Sequence, residues 1–236
     1  VVADDTFSVQ QAEQALYDLA IKDLDNAIAQ SPNDANAYSN RGNEYWQIGR
    51  VYRGIDGGEA KMTESFDQAA ADFTKAIELD PNNGQRYIDR FKAYSHMGEN
   101  ELALADCNKA VQLDPNNSAY YGHRGLAYMA LDNNDMALAD FNKAIELDPN
   151  FEAAYVWRGQ LYDRMGENEL ALADFNKSIS ISPGSSFSYL MRGNLYAKMG
   201  NISLAIADLE KCLEMAIDQN DPWLIQEAQQ ALAEIS

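Results

Sequence analysis

Six prolines set a ruler along this chain of 236 residues. They are Pro32, Pro81, Pro115, Pro149, Pro183 and Pro222. Pro81, Pro115, Pro149 and Pro183 are evenly spaced, at a period of about 34 residues. The step from Pro32 to Pro81 is longer, one period plus about 15 residues of surplus. A fixed period of this length means that one supersecondary unit recurs. Such a unit cannot bury its apolar face alone, so neighbours must stack to make a core. The surplus predicts an insertion in one repeat.

Aligned on the prolines, the other residues fall into columns. Tyr38, Tyr87, Tyr121, Tyr155 and Tyr189 form one, and Tyr45, Tyr94, Tyr128, Tyr162 and Tyr196 a second. Gly42, Gly125, Gly159 and Gly193 share a third with Phe91. Ala69, Ala103, Ala137, Ala171 and Ala205 share a fourth. The Asp-Pro steps at 80–81, 114–115 and 148–149 predict helix ends, because a residue before proline is pushed out of the α region. An Asn or Ser just beyond is suited to cap the next helix. Each repeat thus reads as two helices of about 12–15 residues, marginal alone and stable only when stacked. Small residues allow close approach, which predicts that Gly125 faces Ala137 and Gly159 faces Ala171.

These columns resemble the tetratricopeptide repeat (TPR) family. Its pattern is carried in the third repeat by Tyr121, Gly125, Tyr128, Ala137, Phe141, Ala144 and Pro149. The resemblance covers roughly residues 35–217. It implies an all-α fold, a right-handed α-solenoid of stacked antiparallel helix pairs. Repeats are expected at 35–83 (with the insertion at 50–64), 84–117, 118–151, 152–185 and 186–219. An N-terminal half-repeat at 8–32 and a capping helix at 221–236, led by Trp223 and Leu224, complete a single array. The insertion, with Gly54, Gly57 and Gly58, reads as a flexible loop or hinge.

Two departures from the columns carry physical content. Phe91 stands where a glycine belongs, and Cys107 where Phe73, Phe141 and Phe175 stand elsewhere. Large and small are exchanged, which predicts volume compensation within one helix pair. Arg41, Arg90, Arg124, Arg158 and Arg192 form a further column. Asp72, Asp106, Asp140, Asp174 and Asp208 follow them at a constant spacing, stretched only in the interrupted repeat. This predicts a ladder of internal ion pairs. Cys107 and Cys212 lie outside any C-x-x-C spacing and read as small core residues.

Charge and motifs exclude several functions. The 18 basic residues against 37 acidic ones give a net charge of −19. With no basic cluster, the chain is unsuited to neutralising phosphates, so no nucleic-acid partner is expected. No apolar run long enough to cross a bilayer is present, so no membrane insertion is expected. Phosphate-loop, zinc-protease and hydrolase signatures are lacking. No enzyme activity, cofactor or metal is therefore expected. The sequence starts at Val1 rather than Met, which leaves the compartment open: soluble and cytoplasmic by default, exported or periplasmic if Val1 is a processed N-terminus.

By the resemblance, first helices line a concave groove that holds a peptide or helix of a partner protein. The matching positions are Asn36, Asn40, Asn43, Trp46 and Gln47 in the first repeat, and Lys92 and His96 in the second. His123 and Met129 follow in the third, Trp157, Gln160 and Arg164 in the fourth, and Met191, Asn194 and Lys198 in the fifth. Ile88, Asp89, Val156, Phe187 and Leu190 also map there. Amides suit a peptide backbone, and exposed aromatics suit its side chains. The chaperone carboxylate clamp of one TPR subfamily is absent. Asn43 matches one of its positions, but Ser39, Asp89, Ala119 and His123 replace the others. The expected function is a non-catalytic scaffold for protein–protein interaction. The alternative is a self-assembly module forming a homo-oligomer through the groove or the array ends.

Overall fold

The computed structural model describes the backbone of residues 2–53 and 57–235, with side chains from residue 16 onward; Gly54 lies outside the described residues. Twelve helices and no strands are seen among the described residues. They are α1 (Val2–Gln30), α2 (Ala35–Tyr52), α3 (Glu59–Leu79), α4 (Gly84–Met97), α5 (Asn100–Leu113), α6 (Ser118–Ala130), α7 (Asn134–Leu147), α8 (Glu152–Met165), α9 (Asn168–Ile181), α10 (Ser186–Lys198), α11 (Ile202–Asp218) and α12 (Pro222–Ile235). The chain divides into two compact units, Val1–Asn116 and Asn117–Ser236. The first holds α1–α5 and the second α6–α12. Each is a stack of antiparallel helix pairs in an all-α repeat fold.

Local chemistry sets the helix ends. Asp80, Asp114 and Asp148, each before a proline, leave the helical region with φ of −141°, −139° and −138°. Asn83 and Asn117 then accept hydrogen bonds from the backbone N–H of Gln85 and Ala119, each 3.1 Å long, and cap α4 and α6. Within pairs, α8 ends on Gly166 at φ +82°, a left-handed turn natural to glycine. The corresponding turn after α6 places Asp132 at φ +56° instead.

In the α2–α3, α6–α7 and α8–α9 pairs the close approach is between glycine and phenylalanine. A Cβ added to Gly125 would lie 2.5 Å from the Phe141 ring, and one added to Gly159 would lie 2.6 Å from Phe175. Gly42 meets Phe73 in the same way, at 2.8 Å. The glycine column is therefore the cavity into which a ring inserts, and the ring, not the alanine opposite, is its nearest neighbour. In the α10–α11 pair Leu209 takes the ring's place against Gly193. In α4–α5 the roles are reversed: Phe91 and Cys107 are both buried, the thiol completely.

The Arg–Asp ladder is present in all five pairs. Each arginine donates from Nε and Nη2 to both carboxylate oxygens of its aspartate, at 2.6–2.8 Å. The planar guanidinium fork matches the carboxylate, so each contact is bidentate. The aspartates are buried and the arginines half-buried. Arg158 lies between the rings of Tyr155 and Tyr162, and Arg192 between Tyr189 and Tyr196. The two tyrosine columns thus supply cation–π faces to the arginine column. The third nitrogen reaches back to the preceding pair: Arg158 Nη1 donates to Asn142, Arg192 Nη1 to Asn176 and Arg90 Nη1 to Thr74. Arg41 Nη1 donates to Asp25 of α1, so α1 serves α2 as a preceding second helix would.

The insertion corrects the extent of the expected loop: Gly57 and Gly58 lie between helices, but the stretches on either side are helical. It is largely helical: α2 has 18 residues where other first helices have 13 or 14, and α3 has 21 where α5, α7 and α9 have 14. Gly49 lies seven residues beyond Gly42, and Phe66 seven before Phe73. A Cβ on Gly49 would lie 2.6 Å from the Phe66 ring. Seven residues are two helical turns, so the added length repeats the glycine–ring contact further along the same pair.

At the far end α12 lies on α10 and α11. Leu224 and Ala228 are buried with Leu190, Leu209 and Cys212. Trp223, expected to pack with Leu224, is 53% exposed, its ring 6.1 Å from Phe187. Burial, with Asp221 nearby, pushes the Cys212 thiol up to about 11, so it is a protonated core group. Cys107 and Cys212 are both buried free thiols.

Candidate functional site

In the first unit, α2 and α4 present the predicted groove residues. Asn36 and Asn40 are exposed, and Asn43, Trp46, Gln47, Lys92 and His96 are half-buried. Asn36, Asn40, Asn43 and Gln47 recur at helical spacing and make one amide stripe along α2. Arg86 orders its start, donating to Asn36 Oδ1 at 2.9 Å, to Ser39 at 2.7 Å and to the Ala35 carbonyl at 3.0 Å. Lys92 is neutralised by Asp89 at 3.0 Å, and Asp89 also accepts from Gln85.

Trp46 is seated rather than free. It packs on Ala69, Phe73 and Ala93, with its ring 5.7 Å from that of His96. The Arg50 guanidinium lies 5.0 Å from the Trp46 ring centre. The indole Nε1 is buried with no hydrogen-bond partner among the described residues. His96 stacks on Phe66 at 4.9 Å with the rings 8° from parallel. Burial, then the charges of Arg53 and Arg50, bring its pKa down to about 4, so the imidazole is neutral at pH 7.

In the second unit, Arg164, Asn194 and Lys198 are exposed, and His123, Met129, Trp157, Gln160 and Met191 are half-buried. Trp157, expected as an exposed groove aromatic, is packed between helices. Its ring meets Phe151 edge-on at 5.6 Å and lies 5.6 Å from His123. A Cβ on Gly122 would lie 2.5 Å from this indole. Gly122 occupies a column otherwise filled by Ser39, Ile88, Val156 and Leu190, all buried. That column faces the core, which corrects its assignment to the groove lining; the one glycine in it was the readable sign that Trp157 turns inward. Asp89 is buried as well.

The two predicted groove cations of the second unit are paired. Arg164 donates to Asp132 at 2.7 Å and to the Met129 carbonyl at 3.2 Å. Lys198 donates to the Asp163 carboxylate at 2.6 Å. Gln160 Nε2 lies 3.3 Å from Met191 Sδ, and Met129 packs beside Phe141. Asn194 and Lys198 border a cleft of about 300 Å³ whose other wall is α12 with Glu227, Gln230 and Glu234.

One cavity escaped the sequence reading. It has about 530 Å³ and lies where the lengthened α2–α3 pair overhangs the end of α4, lined by Arg53, Glu59, Met62, Phe66 and His96 among others. The continuation of the amide stripe to Arg50 and the seven-residue repeat of glycine and phenylalanine were the signals for it.

Tetratricopeptide repeat models match residues 118–151 and 141–173, and another matches 63–83, 92–117 and 188–216. A TPR repeat model matches 14–49. Among solved structures, MamA is 30% identical, with 70% of this chain and 98% of that one covered at a TM-score of 0.54. This chain belongs to the tetratricopeptide repeat family. A thermophilic TPR protein of Thermus thermophilus, TTC0263, is similar at 20% identity, covering 80% of this chain and 99% of that one, with a TM-score of 0.66. A tetratricopeptide repeat protein from Parabacteroides merdae ATCC 43184 is 22% identical over 98% of this chain and 90% of its own, with a TM-score of 0.61. A comparison with curated proteins finds no significant match. The TPR fold supports a protein-interaction scaffold. Among the described residues no helix is long and apolar enough to cross a membrane.

Proposed function

We propose that this TPR protein is a non-catalytic scaffold that holds a segment of a partner protein against its first helices. The observation that carries this reading is the amide stripe of α2. Asn36, Asn40, Asn43 and Gln47 follow one another on one face, with Asn36 and Asn40 open to solvent. An amide both donates and accepts, which is what an extended peptide backbone requires. Trp46, half-buried beside the stripe, supplies apolar area at low entropic cost.

Trp46 and Trp157 both support packing, so their removal would confuse lost binding with lost folding. Exposed residues make a cleaner test. A photo-crosslinking amino acid placed at Asn40 or Asn194 should capture a defined segment of a partner, found by mass spectrometry. The same group at Lys75 or Lys211, on second helices, should not. Capture only from the second helices would overturn the proposal, and crosslinks only between copies of this chain would favour self-assembly.

A further inference from the structure

Seven of the nine arginines are ion-paired with carboxylates: Arg41, Arg86, Arg90, Arg124, Arg158, Arg164 and Arg192. The remaining two, Arg50 and Arg53, are neighbours at the end of α2, and neither has an ion pair among the described residues. Arg53 Nη1 lies 3.4 Å from His96 Nδ1, and Arg50 lies over Trp46 with Nη1 3.4 Å from Gln47. In a chain with 37 acidic residues, two guanidiniums one helical turn apart with no carboxylate partner among the described residues are unexpected. Arg53 lines the cavity built by the insertion, and Arg50, over Trp46, ends the amide stripe that begins at Asn36 and acts on the cavity through its charge at His96.

The cavity has an apolar and a polar side. Met62, Phe66 and the face of His96 make the apolar side. Arg53 makes the polar side, with Arg50 near enough to His96 to repel its proton. Glu59 also lines it and offsets one positive charge. The balance of two guanidiniums and one carboxylate suits a single negative charge. A phosphate dianion would meet the repulsion of Glu59 in addition.

We propose that this cavity receives a carboxylate carried on an apolar stem, an acidic side chain beside a hydrophobic one in a partner segment lying along α2. The proposal rests on the scaffold reading above and gives the partner a chemistry: amide-bonded backbone along the stripe, then an acidic anchor at Arg50 and Arg53. The guanidinium fork supplies the paired donors a carboxylate accepts, and Phe66 and Met62 take the stem.

The test needs no partner. The full chain, labelled with ¹⁵N, is titrated with 3-phenylpropanoate, and the Trp46 indole N–H and the His96 ring signals are followed by NMR. A saturable shift of both is expected. 3-Phenylpropanamide, of the same shape without charge, should bind at least about tenfold more weakly, as should the R50Q/R53Q variant. Both arginine side chains are exposed, so this variant should keep the parent's circular dichroism and melting temperature. Equal shifts with the amide, unchanged binding by the variant or no saturable shift would each overturn the proposal. Tighter binding of phenyl phosphate than of the carboxylate would overturn the choice of ligand. Fragment binding here together with no crosslinking from Asn40 would overturn the scaffold reading while leaving the cavity's preference intact.

Discussion

In the α8–α9 pair one glycine meets one ring, Gly159 against Phe175; in the α2–α3 pair the meeting occurs twice, Gly42 against Phe73 and Gly49 against Phe66. The ion pairs differ too. Arg158 shares its guanidinium between Asp174 and the neutral Asn142, whereas Arg41 is held by two carboxylates, Asp72 and Asp25. Length and charge therefore make α2–α3 the more redundant of the two pairs. A repeat can take in such an insertion without a new fold because helical packing in antiparallel pairs recurs every two turns. The insertion adds surface at the far end of the pair, which is where the Arg50–Arg53 cavity lies.

The α4–α5 pair offers the largest way to break this rule. If glycine and ring are one volume shared between two helices, Phe91→Gly should cost about 4 kcal/mol, through a large cavity and an interior helical glycine. Cys107→Phe alone should overpack and cost about 1–3 kcal/mol. The double variant recreates the arrangement of the other pairs and should recover most of the loss. A urea-unfolding double-mutant cycle measures the coupling; additive losses would mean the two positions do not share volume.

The ladder sharpens the contrast between pairs at a smaller scale. Asp174→Ala removes the only carboxylate paired with Arg158 among the described residues and should cost roughly 3 kcal/mol, since it strands a half-buried charge. Asp72→Ala leaves Arg41 with Asp25 and should cost clearly less. Thermal denaturation of the two variants compares them; equal losses would show that the contact from α1 contributes nothing.

Much of this was legible because repetition multiplies weak signals. Five copies of Arg and Asp, four of them at one constant spacing, announced the ladder. The third contact was written as plainly, in Asn142 and Asn176, each at one fixed spacing before its arginine. But an asparagine on a helix surface has no single meaning until its partner is placed. The groove was less legible. A column repeated at first-helix positions can face either the neighbouring first helix or solvent, and the period alone does not separate the two. Leu190 and Val156 proved buried, and Trp157 turned into the space left by Gly122. The insertion was legible in part: Gly57 and Gly58 do lie between helices, but helix runs up to Tyr52 and resumes at Glu59, and the pairing of Gly49 with Phe66 that supports this length lies just outside the inserted residues.

Redundancy also predicts the outcome of crowding the glycines. A methyl at Gly159 must displace Phe175, which is fully buried, and should cost about 1–2 kcal/mol after the gain in helix propensity. Gly49→Ala should cost less, because the α2–α3 pair remains anchored at Gly42 and Phe73 while its outer turns part slightly. Hydrogen exchange at the amides of α2 would locate the loosening beyond Gly49; loosening that extends back to Gly42 would contradict the independence of the two contacts.

The smallest effect expected is the pH dependence that the lengthened pair acquires from His96. The position matching His96 in the α8–α9 repeat is Arg164, not a histidine, so this contribution belongs to the first unit. In the folded chain burial against Phe66, with Arg53 and Arg50 nearby, holds the imidazole at about 4, below its ordinary value of 6.5. Between those values the unfolded chain takes up a proton that the folded one refuses. Stability must then rise with pH across this window and be lost as pH falls from about 6.5 toward 4. Whatever other groups contribute is shared by a His96→Gln variant. The melting temperature of the parent should therefore fall further than that of His96→Gln over the same acid range. R50Q/R53Q should lie between the two, since it removes the charges that oppose protonation but leaves the burial. Parallel losses in all three proteins would mean that His96 is as free to protonate as in the unfolded chain, and that the overhang of α2–α3 does not close over it.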